Sequence, residues 1–183
     1  NGKKKIIAFT TRTQTLGDIG ELNDNTKRQI KSSLIKCINY CIDNGFKVKI
    51  IIQTKKDVQF TKLIYYEFAD NKDVSLIESY DVIKLIEIYS SCSLLVGMRL
   101  HSMILAMSVG TPVIGFFKKE WGLKNPGLLQ AYSQKFALVD NNNNNDLISI
   151  LKAHDFNSLS SESIKIVNTK NQLLLELKNY EKI

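Results

Sequence analysis

An arginine and a histidine two residues apart, set between an apolar strand and an apolar helix, can hold an anion and move a proton. The stretch VGMRLHSMILAMSVGTPVIGF (Val96–Phe116) presents Arg99 and His101 at such a joint. A guanidinium matches carboxylate or phosphate oxygens two at a time. An imidazole exchanges a proton near neutral pH. Together they suit a substrate that is anionic and must be protonated. Arg12, in TTR (Thr10–Arg12), is a third cationic group following an apolar run. The plainer alternative is that Arg99 and His101 are ordinary helix-start residues. Ser102 reads as a helix-start hydrogen bonder rather than a nucleophile.

The elements that must position these groups follow a regular alternation. KIIAFT (Lys5–Thr10) is rich in β-branched and aromatic residues and predicts a buried strand. Apolar residues three and four apart from Thr26 onward (Ile30, Leu34, Ile35, Ile38, Ile42) predict a helix closed at Gly45. Strands are then expected at Lys47–Thr54, Val74–Glu78, Ser93–Gly97, Thr111–Phe117 and Lys135–Val139. Helices are expected at Asp57–Asp70, Asp81–Cys92, Arg99–Gly110, Asn125–Tyr132, Asp146–His154 and Ser160–Lys182. The last has Leu173, Leu174 and Leu177 as its apolar stripe, and the run Asp140–Asp146 is a low-complexity loop.

Six strands alternating with helices imply a doubly wound, mainly parallel α/β sheet, with Rossmann-like order 3-2-1-4-5-6. In that order, ligands bind beyond the carboxyl ends of the first and fourth strands. Arg12 follows the first strand; Arg99 and His101 follow the fourth. The N-terminus of the next helix adds unbonded N–H groups and a positive dipole end.

The 183 residues suffice for a single domain over residues 1–183. Residue 1 is Asn rather than Met, so the chain reads as a processed protein or a piece of a longer one. The formal charge is +7. The lysines are scattered and no aromatic stripe accompanies them, which argues against a nucleic-acid surface. No apolar run approaches the ~20 residues of a membrane span. Three cysteines, Cys37, Cys41 and Cys92, form no disulfide framework and read as buried thiols in a reducing compartment. No metal-spaced cluster appears. The first turn, TTRTQTLGDIG, is not a G-x-G-x-x-G, which excludes the usual NAD fingerprint.

LLVGMRLHSMILAMSVGTPVIGF (Leu94–Phe116) resembles the signature of the polysaccharide pyruvyl transferases. The distinctive positions are Gly97, Arg99, His101, Ser102, Gly110, Pro112 and Gly115. The resemblance implies one half, the C-terminal one, of a two-domain GT-B-like architecture, with an N-terminal domain outside this chain. It implies transfer of the enolpyruvyl part of phosphoenolpyruvate onto two hydroxyls of a sugar, or of a lipid-linked saccharide, in a cell-surface polysaccharide precursor. Arg99 and His101 are then the catalytic residues. Arg12, Arg99, Leu100 (through its backbone), His101 and Ser102 are the substrate-binding ones, Arg12 by a loose alignment. No cofactor or metal is implied. The expected location is the cytoplasm, or the inner face of the membrane as a peripheral protein. The isolated domain is expected to be weakly active or inactive.

One departure is FFKKEWG (Phe116–Gly122), where family members often carry an acidic, Asp-containing turn. Lys118 and Lys119 add positive charge there, Glu120 is the nearby carboxylate, and Trp121 reads as core or loop packing, with stacking on a sugar ring as the alternative. The competing readings are a nucleotide-sugar-binding half of a GT-B glycosyltransferase and a non-catalytic α/β module.

Overall fold

The computed structural model describes residues 5–15, 20–139 and 146–180, with side chains described to residue 175. The Asn-rich run 140–145 and the side chain of Leu177 lie outside that range.

Six parallel strands form one sheet in the order β3-β2-β1-β4-β5-β6. They are β1 (Ile6–Thr10), β2 (Lys47–Ile52), β3 (Val74–Glu78), β4 (Leu94–Gly97), β5 (Val113–Phe117) and β6 (Lys135–Leu138). The helices are α1 (Asp24–Asp43), α2 (Val58–Tyr65), α3 (Val82–Ser90), α4 (Leu100–Ser108), α5 (Lys124–Ala131), α6 (Leu147–Lys152) and α7 (Leu159–Tyr180). The strand order is the expected one. Every residue of β4 and β5 is buried, as a strand covered by helices on both faces requires. Fully burying each such aliphatic or aromatic side chain contributes about 1.5–3 kcal/mol.

Caps set the helix boundaries. Asn23 accepts a bond from the N–H of Thr26, Asp81 from Lys84 and Asp146 from Ser149, which satisfies first-turn donors of α1, α3 and α6. At the other end of α4, Gly110 has φ 79° and follows a Schellman-like pattern: its N–H donates to Met107 O, and Thr111 N–H to Ala106 O. Gly115 in β5 serves close packing, since a Cβ there would lie 2.8 Å from Cε1 of Phe117 and 3.1 Å from Cβ of Phe136.

Two expectations are corrected. Helix α5 runs Lys124–Ala131, starting one residue before the expected Asn125, so Asn125 lies inside its first turn. Pro126 falls within the first turn, where a missing N–H costs no intrahelical bond. On α7, Leu173 and Leu174 are exposed at 37% and 49%. The packed part is its first half, where Ile166 is fully buried and Lys170 reaches Ser108 O. A helix of 22 residues is about 33 Å long.

Candidate anion site at the carboxyl ends of β1 and β4

Strands β1 and β4 are parallel neighbours, with Phe9 opposite Val96. Their following segments leave the sheet in different directions: β1 runs into the loop from Thr11, and β4 into Met98, Arg99 and α4. Carboxyl ends of strands at such a reversal of strand order are where open α/β sheets bind ligands.

Arg99 is the extended residue preceding α4 (φ −107°, ψ 135°), and its side chain does not cap the helix. The first intrahelical bond runs from Met103 N–H to Arg99 O at 3.2 Å. The N–H groups of Leu100, His101 and Ser102 therefore precede the intrahelical ladder at its positive end. His101 is exposed on this first turn. Ser102 is fully buried. Its hydroxyl donates to Arg99 O at 2.7 Å, so the 3.1 Å contact with Thr10 Oγ1 is donated by threonine. The same threonine oxygen accepts from Met98 N–H at 3.3 Å. This chain of hydroxyls ties the end of β1 to the start of α4.

The side chain of Arg99 is drawn into an ion pair that sequence reasoning missed. Asp57 closes the short 3-10 turn Lys55–Asp57 after β2 and is 2% exposed. Its Oδ2 lies 2.5 Å from Nε of Arg99 and its Oδ1 3.0 Å from Nη2. Gln14, also buried, accepts a further bond from Nη2 through Oε1. The available signal was the position of an acidic residue just beyond the second strand, beside the first-strand loop; Asp57 was instead read as the start of a helix.

Arg12 converges on the same region. Its Nε donates to Gln14 O at 3.2 Å and its Nη2 to Thr15 O at 2.8 Å. Gln14 thus touches both arginines, one through its backbone and one through its side chain. The Arg12 guanidinium also lies 4.4 Å from the centre of the Trp121 ring, which is 4% exposed. Trp121 is therefore packed under an arginine rather than open for stacking on a sugar. Lys118 is paired with Glu120, which offsets the charge expected from it. A cavity of about 570 Å³ lies between these loops, lined in part by Thr15, Leu22, Lys118 and Trp121. Arg99 and His101 are not among the residues lining it.

The three cysteines are free and buried. Burial pushes the Cys41 thiol up to about 12 and Cys37 higher still, so neither is a thiolate at neutral pH. Among the described residues no group of three or more His, Cys, Asp or Glu could hold a metal ion, and no helix is long and apolar enough to cross a membrane.

Comparison with solved structures finds the same fold in larger proteins. A Listeria monocytogenes protein assigned as a UDP-N-acetylglucosamine 2-epimerase matches 100% of the chain with its own 46%, at TM-score 0.59 and 15% identity. A glycosyltransferase from Rickettsia africae matches 100% of the chain with 48% of its own, at TM-score 0.57 and 11% identity. At such identities the likeness concerns the fold alone, one Rossmann-like unit of the GT-B kind. In sequence, the amylovoran biosynthesis protein AmsJ of Erwinia amylovora is 26% identical over 148 residues, covering 74% of the chain. The chain spans about a third, 35%, of that relative's length. Residues 6–116, which include β1, Asp57 and the joint after β4, match the polysaccharide pyruvyl transferase model. The chain belongs to the polysaccharide pyruvyl transferase family.

Proposed function

We propose that this chain supplies the donor-binding half of an enzyme that transfers a pyruvyl group from phosphoenolpyruvate to a sugar of a cell-surface polysaccharide precursor. The observation that carries the reading is the joint after β4. There Arg99 is held beside the β1 loop and His101 stands exposed on the first turn of α4, both inside the family match.

Phosphoenolpyruvate carries a carboxylate and a phosphate. Arg99, Arg12 and the N–H groups at the start of α4, that of Leu100 among them, bind these anions. Ser102, being buried, serves by fixing Arg99 O and Thr10 rather than by touching the donor. His101, as imidazolium, gives its proton to the methylene carbon. A sugar hydroxyl adds to the resulting electrophilic carbon and returns a proton to the imidazole. A second hydroxyl then displaces phosphate, which leaves with that hydroxyl's proton equivalent, and the product is a ketal. Two hydroxyls are consumed, one phosphate is released, and no redox change occurs. The acceptor, a sugar or lipid-linked saccharide, is held by an N-terminal domain outside this chain. The work is cytoplasmic, at the inner face of the membrane where the acceptor is lipid-linked. No cofactor is required.

A nucleotide-sugar site in this fold wants a carboxylate for the ribose. Here Asp57 is engaged by Arg99 and Glu120 by Lys118, which favours the donor reading. Calorimetric titration separates the two. Phosphoenolpyruvate is expected to bind, and Arg99→Ala to weaken it about tenfold or more, as loss of a charge-assisted bond does. Binding of UDP-N-acetylglucosamine with no heat from phosphoenolpyruvate overturns the proposal.

A further inference from the structure

Asp57 precedes α2 and stands at its N-cap position, where an aspartate ordinarily accepts from the helix's own first-turn N–H groups. This one makes no capping bond. Its carboxylate instead accepts from Nε and Nη2 of Arg99 at 2.5 and 3.0 Å, and from Thr13 N–H at 3.3 Å. Gln14 reinforces the arrangement. Its Nε2 donates to Thr13 Oγ1 at 2.9 Å and to Lys56 O at 3.2 Å, which turns Oε1 toward Nη2 of Arg99. Two buried side chains from different loops thus grip one edge of one guanidinium.

We infer that Asp57 is the positioning residue of the anion site: together with Gln14 it clamps the Nε–Nη2 edge of Arg99 and so fixes the direction in which the guanidinium is presented to the donor. This rests on the donor reading above. An arginine side chain loses much rotamer freedom when it is fixed on a ligand. A clamp already made in the folded protein removes that penalty from the binding step. It has an electrostatic cost, since a carboxylate beside an anion site repels the anion. Charge and geometry therefore predict opposite signs when Asp57 is neutralised, and the sign decides between them.

The test uses Asp57→Asn, which keeps the shape and an acceptor oxygen and removes the charge. If Asp57 only added negative charge, phosphoenolpyruvate would bind the variant more tightly. As a positioning residue, its loss weakens binding about tenfold to a hundredfold, the range for charge-assisted bonds. The double variant Asp57→Asn/Arg99→Ala then binds no worse than Arg99→Ala alone, because the clamp acts through the arginine. Tighter or unchanged binding in Asp57→Asn, or additive losses in the double variant, overturns the inference.

A second measurement needs no folded Asp57 variant. In the ¹⁵N-labelled chain the Arg99 Nε–Hε signal, assigned by its loss in Arg99→Lys, is expected to exchange slowly with solvent. Exchange as fast as that of surface arginines overturns the clamp. If phosphoenolpyruvate fails to bind the unmutated chain, the donor reading falls, and the Nε–Hε signal still decides whether Asp57 holds Arg99.

Discussion

The guanidinium of Arg12 stacks over the indole of Trp121 at 4.4 Å, joining the loop after β1 to the turn after β5 across the strand between them. The ring supports one face of the guanidinium, while Gln14 O and Thr15 O take its N–H groups. Trp121 therefore helps to fix the Arg12 guanidinium.

Trp121→Phe is expected to fold and to lose about 1–2 kcal/mol, from smaller ring area and a weaker cation–π contact. The indole N–H is buried with no hydrogen-bond partner among the described residues, so its removal adds little. Trp121→Leu removes the aromatic face, and phosphoenolpyruvate affinity should fall about three- to tenfold as Arg12 loses its support. Calorimetry with thermal melts checks both, and unchanged affinity in Trp121→Leu argues that Arg12 is held by Gln14 and Thr15 alone.

His101 is exposed and makes no packing contribution of note. His101→Gln should change stability by no more than about 0.5 kcal/mol, as a surface change does, with a melting temperature close to that of the unmutated chain. Phosphate release by the whole protein, with phosphoenolpyruvate and a sugar diol, should fall about 10²–10⁴-fold, the usual worth of a positioned proton donor. Ordinary turnover in this variant removes histidine from the mechanism.

His154 and Glu162 give the fold a defined pH response. Their side chains lie 3.5 Å apart, too far for a strong hydrogen bond, and Nε2 and Oε2 are buried without partners among the described residues. Burial dominates both: it lowers His154 below its ordinary 6.5, helped by Lys135, and raises Glu162 above its ordinary 4.5 against the pull of Lys135 and Lys165. Asp155 raises both groups. A strong ion pair would shift each the other way. For His154 the folded value is depressed, so the unfolded chain takes up the proton first and stability falls as the pH drops through 6.5 and below. For Glu162 the folded value is raised, so stability is present below 4.5 and is lost as the pH rises through the folded value. Glu162→Gln should therefore raise the melting temperature at pH 7, with the gain vanishing below pH 4.5. Melts across pH 4–8 check this, and a variant less stable at pH 7 would restore the ion-pair picture.

Gly115→Ala tests the packing under the site. The added Cβ meets Leu129, Phe117 and the Cβ of Phe136, which belongs to a neighbouring strand and cannot swing aside. A loss of about 1–3 kcal/mol is expected from such overpacking. Denaturant melts measure it, and a neutral effect would mean that β5 and β6 separate easily.

Much of this architecture was readable from residue order alone. Alternating apolar strands and amphipathic helices depend on local periodicity, and the caps Asp81 and Asp146 act within one turn. Strand order followed because right-handed crossovers leave few topologies. The stripe expected on α7 is exposed at Leu173 and Leu174, because a periodic apolar pattern marks a helix face but says nothing of what lies opposite it.

The sequence by itself determined where the cationic groups fall along the chain: Arg12 after β1, Arg99 and His101 after β4. Only the tertiary structure decided what they touch. Asp57 meets Arg99 across 42 positions, and Gln14 meets it across 85. The place of Asp57 just beyond the second strand puts a carboxylate at that sheet edge, but which cation it meets has no local signal, because the pairing depends on parallel strands that bring distant loops together. A free cation expected from spacing is, in the folded chain, a clamped one.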